Sequence, residues 1–321
     1  MYLPYLRGRQ NELLCLRELL DTGKLSQKVI PIIEPVKFSS TLFSTLSKFN
    51  EMNHPVIVVR NPKVGLFRDE LKEMKNRIDE ETDEKKKEKL KLMVDGYQKV
   101  WNDEHLQRAY LVDDIIKKIE NNKMNAHDTV MINLDRENYH YYEEYGEEIF
   151  GKYTLVPKGG DFEDIVEDDI IVMDDSYRKA KRNIDYSEKP DETFSRNHLV
   201  YKKRGFAGFS DFSIVGKDFE ESGFAPVAIA IHIMYFGQRE EVRIHHFVSE
   251  THERYSDPAR KFEEAMNRLT KWDKFSDIPK TIGLNQLIEC YDMGKFPGLG
   301  VIKKYSLMHH IQMMGDYLEA K

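Results

Sequence analysis

Short apolar runs rich in Val and Ile recur along this chain, separated by longer segments whose apolar residues fall three or four apart. Runs of roughly four to eight apolar residues bounded by turns are what strands covered on both faces look like, and the longer spacing is that of amphipathic helices. Residues 1–6 form the first run, around Pro4, and Arg7-Gly8-Arg9 turns the chain. Leu13, Leu16 and Leu20 then fall at helical spacing, with Gly23 where a C-terminal cap belongs. A second strand over 28–37 carries Glu34 and Lys37 at its end, and a helix follows with Ser39 or Ser40 as its N-cap. The third strand, HPVIVVRNP, ends at Arg60. No hairpin turn separates these elements, so the sheet they form is expected to be parallel.

The rhythm breaks over 66–107, where nearly every residue is charged or polar and Glu-to-Lys pairs three or four apart support helix. We expect a charged helical insertion there, and its Lys-rich run 85–91 reads as a solvated face. Strand four is expected over 108–114, ending in Asp113 and Asp114, with a helix over 115–123. Strand five spans 128–135 and ends at Asp135, and YTLVPKGG reads as a short irregular strand. Strand six spans 169–177, with Asp174 and Asp175 near its end, and the segment 178–204 reads as basic and irregular. FSIVG (212–216) and VAIAIHIMYF (227–236) are the expected strands seven and eight, and VRIHHFVS is expected to pair back on the latter across Gly237-Gln238. Eight strands with intervening helices close as an α/β (β/α)8 TIM-type barrel. An open doubly wound sheet is the alternative; no Gly-x-Gly-x-x-Gly turn supports its dinucleotide-binding form. The expected organisation is a barrel domain over 1–256 with the insertion, then C-terminal helices over 257–321 packed on it.

Composition narrows the function classes. The 321 residues carry 49 Lys and Arg against 56 Asp and Glu, a net charge of −7. That balance argues against a nucleic-acid face built by the whole chain and leaves room for a local basic patch. Two distant cysteines, Cys15 and Cys290, give no zinc motif and fit a reducing compartment. With no apolar stretch near membrane-spanning length and no leader-like start, a cytoplasmic protein without membrane association is the expectation.

In a β/α barrel, side chains at the C-terminal strand ends converge on one mouth. Those ends supply Arg7, Arg9, Glu34, Lys37, Arg60, Asp135, Asp174, Asp175, His232 and Tyr235. Glu34 and Asp135 follow apolar runs and are expected to be partly dry, hence paired or protonated. Glu34, Asp135 and His232 are therefore the candidate catalytic groups. Arg7, Arg9, Lys37, Arg60, Arg178 and Arg182 are the candidate ligand-binding cations. The run Arg178-Lys179-Ala180-Lys181-Arg182 leaves a strand end and suits a phosphate-bearing ligand. Asp135 and Asp174 could ligate a divalent cation such as magnesium, although their spacing matches no metal motif. His245 and His246 point to opposite faces, so only one can share a side with His232, and His246 reads as structural or supporting. Lys303, Lys304 and the KFPGLG loop form a helix start that could hold phosphate, with a simple loop-to-helix turn as the plainer reading.

Several stretches together carry a family resemblance: YLPYLRGRQNELLCLREL, VIPIIEPVK, DDSYRKAKRNIDY, GFSDFSIVG, AIHIMYF with HHFVSE, and FPGLGVIKKYSLMHH. They resemble the bacterial beta family proteins, named after a phage beta protein. The resemblance covers nearly the whole chain and is weakest over 66–107. It implies a barrel-like fold and a place in anti-phage defence, beside neighbours that include a nuclease, and it carries no catalytic residues over. Two readings follow. One is a barrel that binds or acts on a phosphate-bearing or nucleotide-like ligand, a hydrolase if it is an enzyme, with Arg7, Arg60, Arg178 and Arg182 holding the anion. The other is a non-catalytic adaptor whose charged insertion contacts a neighbour-encoded nuclease-like partner.

Overall fold

The computed structural model describes residues 1–112, 125–163, 169–221, 226–252 and 256–321. Asp113, Asp114 and the helix expected over 115–123 lie outside the described residues. The described strands are β1 (Tyr2–Leu6), β2 (Ile32–Ile33), β3 (Val56–Val59), β4 (Leu106–Leu111), β5 (Val130–Ile132), β6 (Tyr153–Pro157), β7 (Ile170–Asp174), β8 (Asp191–Ser195), β9 (Gly208–Asp211), β10 (Ala230–Phe236) and β11 (Val242–Val248). Strands β1 to β7 and β9 close into an all-parallel eight-stranded barrel, with β9 between β7 and β1. The chain is thus an α/β barrel of the (β/α)8 type. Alternation divides each strand in two. Leu3, Tyr5, Ile32, Ile57, Val59, Ala109, Leu111, Ile132, Leu155 and Ile171 fill the interior, while Tyr2, Leu6, Val56, Val58, Leu106 and Phe209 face the helical layer.

The described helices are α1 (Gln10–Asp21), α2 (Ser40–Glu51), α3 (Phe67–Glu80), α4 (Glu84–Trp101), α5 (Tyr139–Tyr145), α6 (Asn197–Val200), α7 (Pro258–Thr270), α8 (Ile282–Asp292) and α9 (Leu299–Ala320). Glu12 reaches back to the Arg7 amide at 2.7 Å to hold the start of α1, and Gly23, at φ 63°, ends it. Ser39 caps α2 by accepting from Leu42 N. The charged segment forms α3 and α4, which together connect β3 to β4. Tyr97 of α4 stacks on Phe43 of α2 at 4.1 Å, so a narrow aromatic face ties this polar hairpin to the body.

Two expected barrel strands are corrected. FSIVG is a turn: Val215 and Gly216 both donate to the Phe212 carbonyl, and Ser213 sits at φ 48°. The strand ends one residue earlier, and Gly208–Asp211 closes the barrel in its place. The stretch read as a short irregular strand is β6, a full member. AIHIMYF lies outside the barrel in an antiparallel sheet of order β10-β11-β8. It is apolar apart from His232 because both its faces are largely covered. Ile231, Ile233 and Tyr235 pack on Phe262, Met266, Leu284 and Leu287 of α7 and α8. Met234 joins the cluster on the barrel side, with Val242 and Ile244 of β11. Burial on two faces leaves the same pattern whatever the strand pairs with. The third strand, β8, arises within the segment expected to be irregular. The hairpin return on β11 is as expected.

Helix α9 runs between barrel and sheet, touching α1, β1 and β10. It is buried on most of its circumference, including His309, His310 and Gln312, as a helix covered all round should be. His309 is held by Thr281 and the Met234 carbonyl, and His310 by Ser213. No described helix is long and apolar enough to cross a membrane.

Candidate anion-binding cleft

Elements β1 and β2 bring Arg7, Glu34 and Tyr5 together at the barrel mouth. Glu34 is 1% exposed. It accepts from Arg7 Nη1, from Tyr5 OH at 2.8 Å and from the Lys63 amide at 2.9 Å. Arg7 also donates to the Lys217 carbonyl and lies over the rings of Tyr5 and Phe212 at 5.1 and 5.5 Å. Burial, then the Glu34 charge, pushes the Tyr5 hydroxyl well above its ordinary pKa. A carboxylate with three donors is fully engaged, so Glu34 is a structural anchor that orients Arg7 rather than a free base.

The other carboxylates expected at the mouth are likewise occupied. Asp135 is exposed, contrary to the expectation of a partly dry group. The strand has already ended at Ile132, and the carboxylate accepts from the Glu137 amide at 3.1 Å to cap a short turn. Asp174 pairs with Lys158 Nζ at 2.7 Å and accepts from Asn197 Nδ2 at 3.3 Å. Both line a cavity of about 370 Å³ with Asp175, Lys158 and Lys217. No group of three His, Cys, Asp or Glu able to hold a metal occurs among the described residues. A magnesium site on Asp135 and Asp174 therefore finds no support in the donor set. Three of the expected cations also turn elsewhere. Arg60 stacks on the Trp101 indole at 4.3 Å, and burial followed by the neighbouring Arg108 charge lowers its pKa to about 10. Lys37 is exposed. Arg178 is 74% exposed and reaches Glu192 at 3.4 Å.

The remaining cations converge in a cleft of about 750 Å³ between the barrel mouth, the three-stranded sheet and the start of α9. Arg7, Arg9, Lys179, Lys181, Arg182 and Lys303 line it, against two carboxylates, Asp218 and Glu220. Arg9 lies over the Phe219 ring at 4.7 Å and donates to the Glu220 carbonyl. Lys179 pairs with Glu220 at 2.7 Å, and Arg182 with Asp185 at 2.7 Å. Lys303 differs: it is half-buried, and no hydrogen-bond or ion-pair partner is found for it among the described residues. Burial lowers its pKa, Glu12 opposes the shift, and Arg9 and Lys179 add to it.

One wall of the cleft holds a chain of hydrogen bonds. His232 of β10 stands opposite His246 of β11 in the antiparallel register, and their Nδ1 atoms are 2.7 Å apart. His232 Nε2 lies 3.2 Å from Tyr177 OH, which lies 2.6 Å from Tyr186 OH. Tyr186 accepts from the Ala180 amide at 3.1 Å. Behind the pair, His246 Nε2 is 3.7 Å from Glu192, which Lys189 holds at 2.8 Å. Burial, then His246 and Lys303, holds His232 well below its ordinary pKa, and burial lowers His246 to about 4. Both rings are therefore neutral near pH 7. One arrangement of protons then satisfies the chain: Tyr186 donates to Tyr177, Tyr177 to His232 Nε2, and His232 Nδ1–H to His246 Nδ1. This leaves His246 Nε2–H facing the Glu192 carboxylate. His245, on the other face, lies 4.4 Å from the Trp272 ring.

Of the residues expected to share one site, the structure brings Arg7, Arg9, Arg182 and His232 into this cleft. It leaves Glu34 behind Arg7 and sends Lys37, Arg60, Arg178, Asp135 and Asp174 elsewhere. His232 occupies the cleft wall, not the barrel mouth, because its strand belongs to the antiparallel sheet. Tyr177, Tyr186 and Glu192 were not anticipated. The tyrosines flank the basic run at 178–182, which was the available signal. Glu192 lay in a segment read as irregular. Behind the sheet, a second cavity of about 730 Å³ mixes Arg268 and Lys271 with Glu250, Glu264 and Asp273, and so has no excess of one charge. Comparison with protein-family models and with curated proteins finds no match to the chain.

Proposed function

We propose that the protein binds a phosphate-bearing, nucleotide-like ligand in the cleft between its barrel mouth and its three-stranded sheet. The observation that carries this reading is Lys303, half-buried in a cleft that Arg7, Arg9, Lys179, Lys181 and Arg182 also line, with no hydrogen-bond or ion-pair partner of its own among the described residues. Drawing a charge partly out of water without a hydrogen-bonded partner is unfavourable, and an anion seated among these cations would offset that cost. The cleft volume lies within the range that drug-sized ligands occupy. Arg7 and Arg9 are held by backbone carbonyls and aromatic rings, so little side-chain entropy is lost when they meet an anion. Tyr186, Phe219 and Ile302 supply apolar surface beside the charges, which suits a ligand with an organic part. In the setting implied by the resemblance to the beta family, this binding would serve anti-phage defence.

Calorimetric titration with pyrophosphate and with a nucleoside triphosphate tests the proposal. Both are expected to bind, and Lys303→Met and Arg9→Met are each expected to weaken them. Loss of one hydrogen bond to a charged group is worth about 1.5–3 kcal/mol, roughly ten- to a hundredfold in affinity. Lys303→Met should leave thermal stability unchanged or raised, because it removes a half-buried charge that lies nearer to like charges than to a hydrogen-bonded partner. Absence of binding by either ligand, or unchanged affinity in both variants, would count against the cleft.

A further inference from the structure

We propose that anion binding in this cleft takes up one proton, held by the His232–His246 pair with Glu192 behind it. The inference rests on the cleft being the ligand site. It is carried by the geometry of the hydrogen-bond chain, which runs from the cleft wall through Tyr177 and His232 to His246, whose Nε2 lies 3.7 Å from the buried Glu192 carboxylate.

The donors all point from Tyr186 toward His246, and His232 Nε2 accepts from Tyr177. A proton arriving at that nitrogen makes it a donor to Tyr177. The Tyr177 hydroxyl then turns back onto Tyr186, and the Tyr186 hydroxyl is released to donate into the cleft. Protonation therefore adds both a positive charge and a hydrogen-bond donor on the ligand side. The reverse also holds, since an anion seated beside His232 favours its charged form.

The groups facing the pair account for its neutral resting state. Tyr177 comes from the loop after β7, Tyr186 from the turn before β8, and Glu192 and Asp191 from β8. His245 is the neighbour of His246 on β11, and Lys303 comes from α9. On the cleft side cations outnumber the carboxylates Asp218 and Glu220, and at the far end Glu192 lies 3.7 Å from His246 Nε2. Without a ligand the balance disfavours imidazolium, and burial adds to it. An anion in the cleft reverses the sign of the charge on the near side. Glu192, already ion-paired to Lys189 and Arg178, stabilises the added charge from behind.

The experiment is calorimetric titration with inorganic sulfate, whose charge is constant near neutral pH, so that any proton exchanged belongs to the protein. Two buffers of different ionisation enthalpy are compared at about pH 6.5. In the wild-type protein the heats are expected to differ by the uptake of about one proton, and affinity to rise as pH falls, by up to about tenfold per pH unit. His232→Gln and, independently, His246→Gln should abolish the uptake and flatten the pH dependence. Lys303→Met should weaken binding and keep the uptake. If sulfate binds with the same heat in both buffers, the proton coupling is wrong while the cleft reading stands. Uptake that survives in His232→Gln and vanishes in Lys303→Met would place the proton on the lysine and overturn the inference. Failure of sulfate to bind at any pH tested would remove the anion site and the coupling with it.

Discussion

Replacing Glu34 by Gln isolates the buried ion pair at the barrel mouth. The amide preserves shape and keeps one oxygen, but that oxygen cannot serve Arg7, Tyr5 and the Lys63 amide together, and the new NH2 group faces donors. Arg7, 4% exposed, is left as a buried cation whose charge is no longer balanced. Removing one partner of a buried pair typically costs about 3–5 kcal/mol, a large share of the roughly 5–15 kcal/mol that holds a domain folded. At about 2 °C per kcal/mol for a chain of this size, melting should fall by about 6–10 °C. Urea unfolding of the wild type, Glu34→Gln, Arg7→Met and the double variant closes the cycle. The double variant is expected to be less destabilised than the sum of the single changes, because it removes the stranded charge. A Glu34→Gln protein that melts within about 1 °C of the wild type would refute the structural assignment and return Glu34 to the list of candidate bases.

Two further predictions concern the core. Asp211 is buried, and that burial raises its pKa to about 7 despite hydrogen bonds from Tyr2 and the Ser213 amide. The folded pKa lies above the unfolded value, so the unfolded chain loses its proton first as pH rises. Stability should therefore fall between about pH 4 and pH 7, by roughly 4 kcal/mol from this group, and level off above. Asp211→Asn keeps the accepting oxygen and should remove that slope; parallel slopes in urea unfolding of the two proteins would disprove it. At Gly283 the crossing of α8 and α9 leaves no room for a Cβ, which would meet the Tyr305 carbonyl and sit 2.7 Å from His309 N. Gly283→Ala improves helix propensity by up to about 1 kcal/mol, yet forcing two backbones apart costs about 1–3 kcal/mol, so a net loss is expected in thermal unfolding.

Much of the barrel was legible in the chain because local chemistry determines it. Apolar runs of strand length, the Ser39 cap, Gly23 after α1 and the Glu-to-Lys spacing of the charged hairpin each act over a few residues. Burial on both faces, by contrast, carries no record of which strand lies alongside. AIHIMYF thus looked like a barrel strand, although α7 and α8 cover one face and the barrel side the other. GFSD, with few apolar residues, looked like a lead-in, although it closes the barrel.

The site divides along the same line. The basic run after Asp175 and the opposite facing of His245 and His246 followed from sequence spacing. Which cations share a cleft did not. Arg60 and Arg7 occupy similar positions near strand ends, yet Arg60 turns onto Trp101 because α4 offers a ring there. Lys303 and His232 are 71 residues apart and meet only because α9 packs between barrel and sheet. Spacing along a chain determines which way a side chain leaves its own element; what it meets depends on how whole elements pack. For this protein the sequence by itself specified a parallel barrel with a basic segment beside one strand end. Only the tertiary structure decided that the segment, α9 and a histidine pair enclose one cationic cleft.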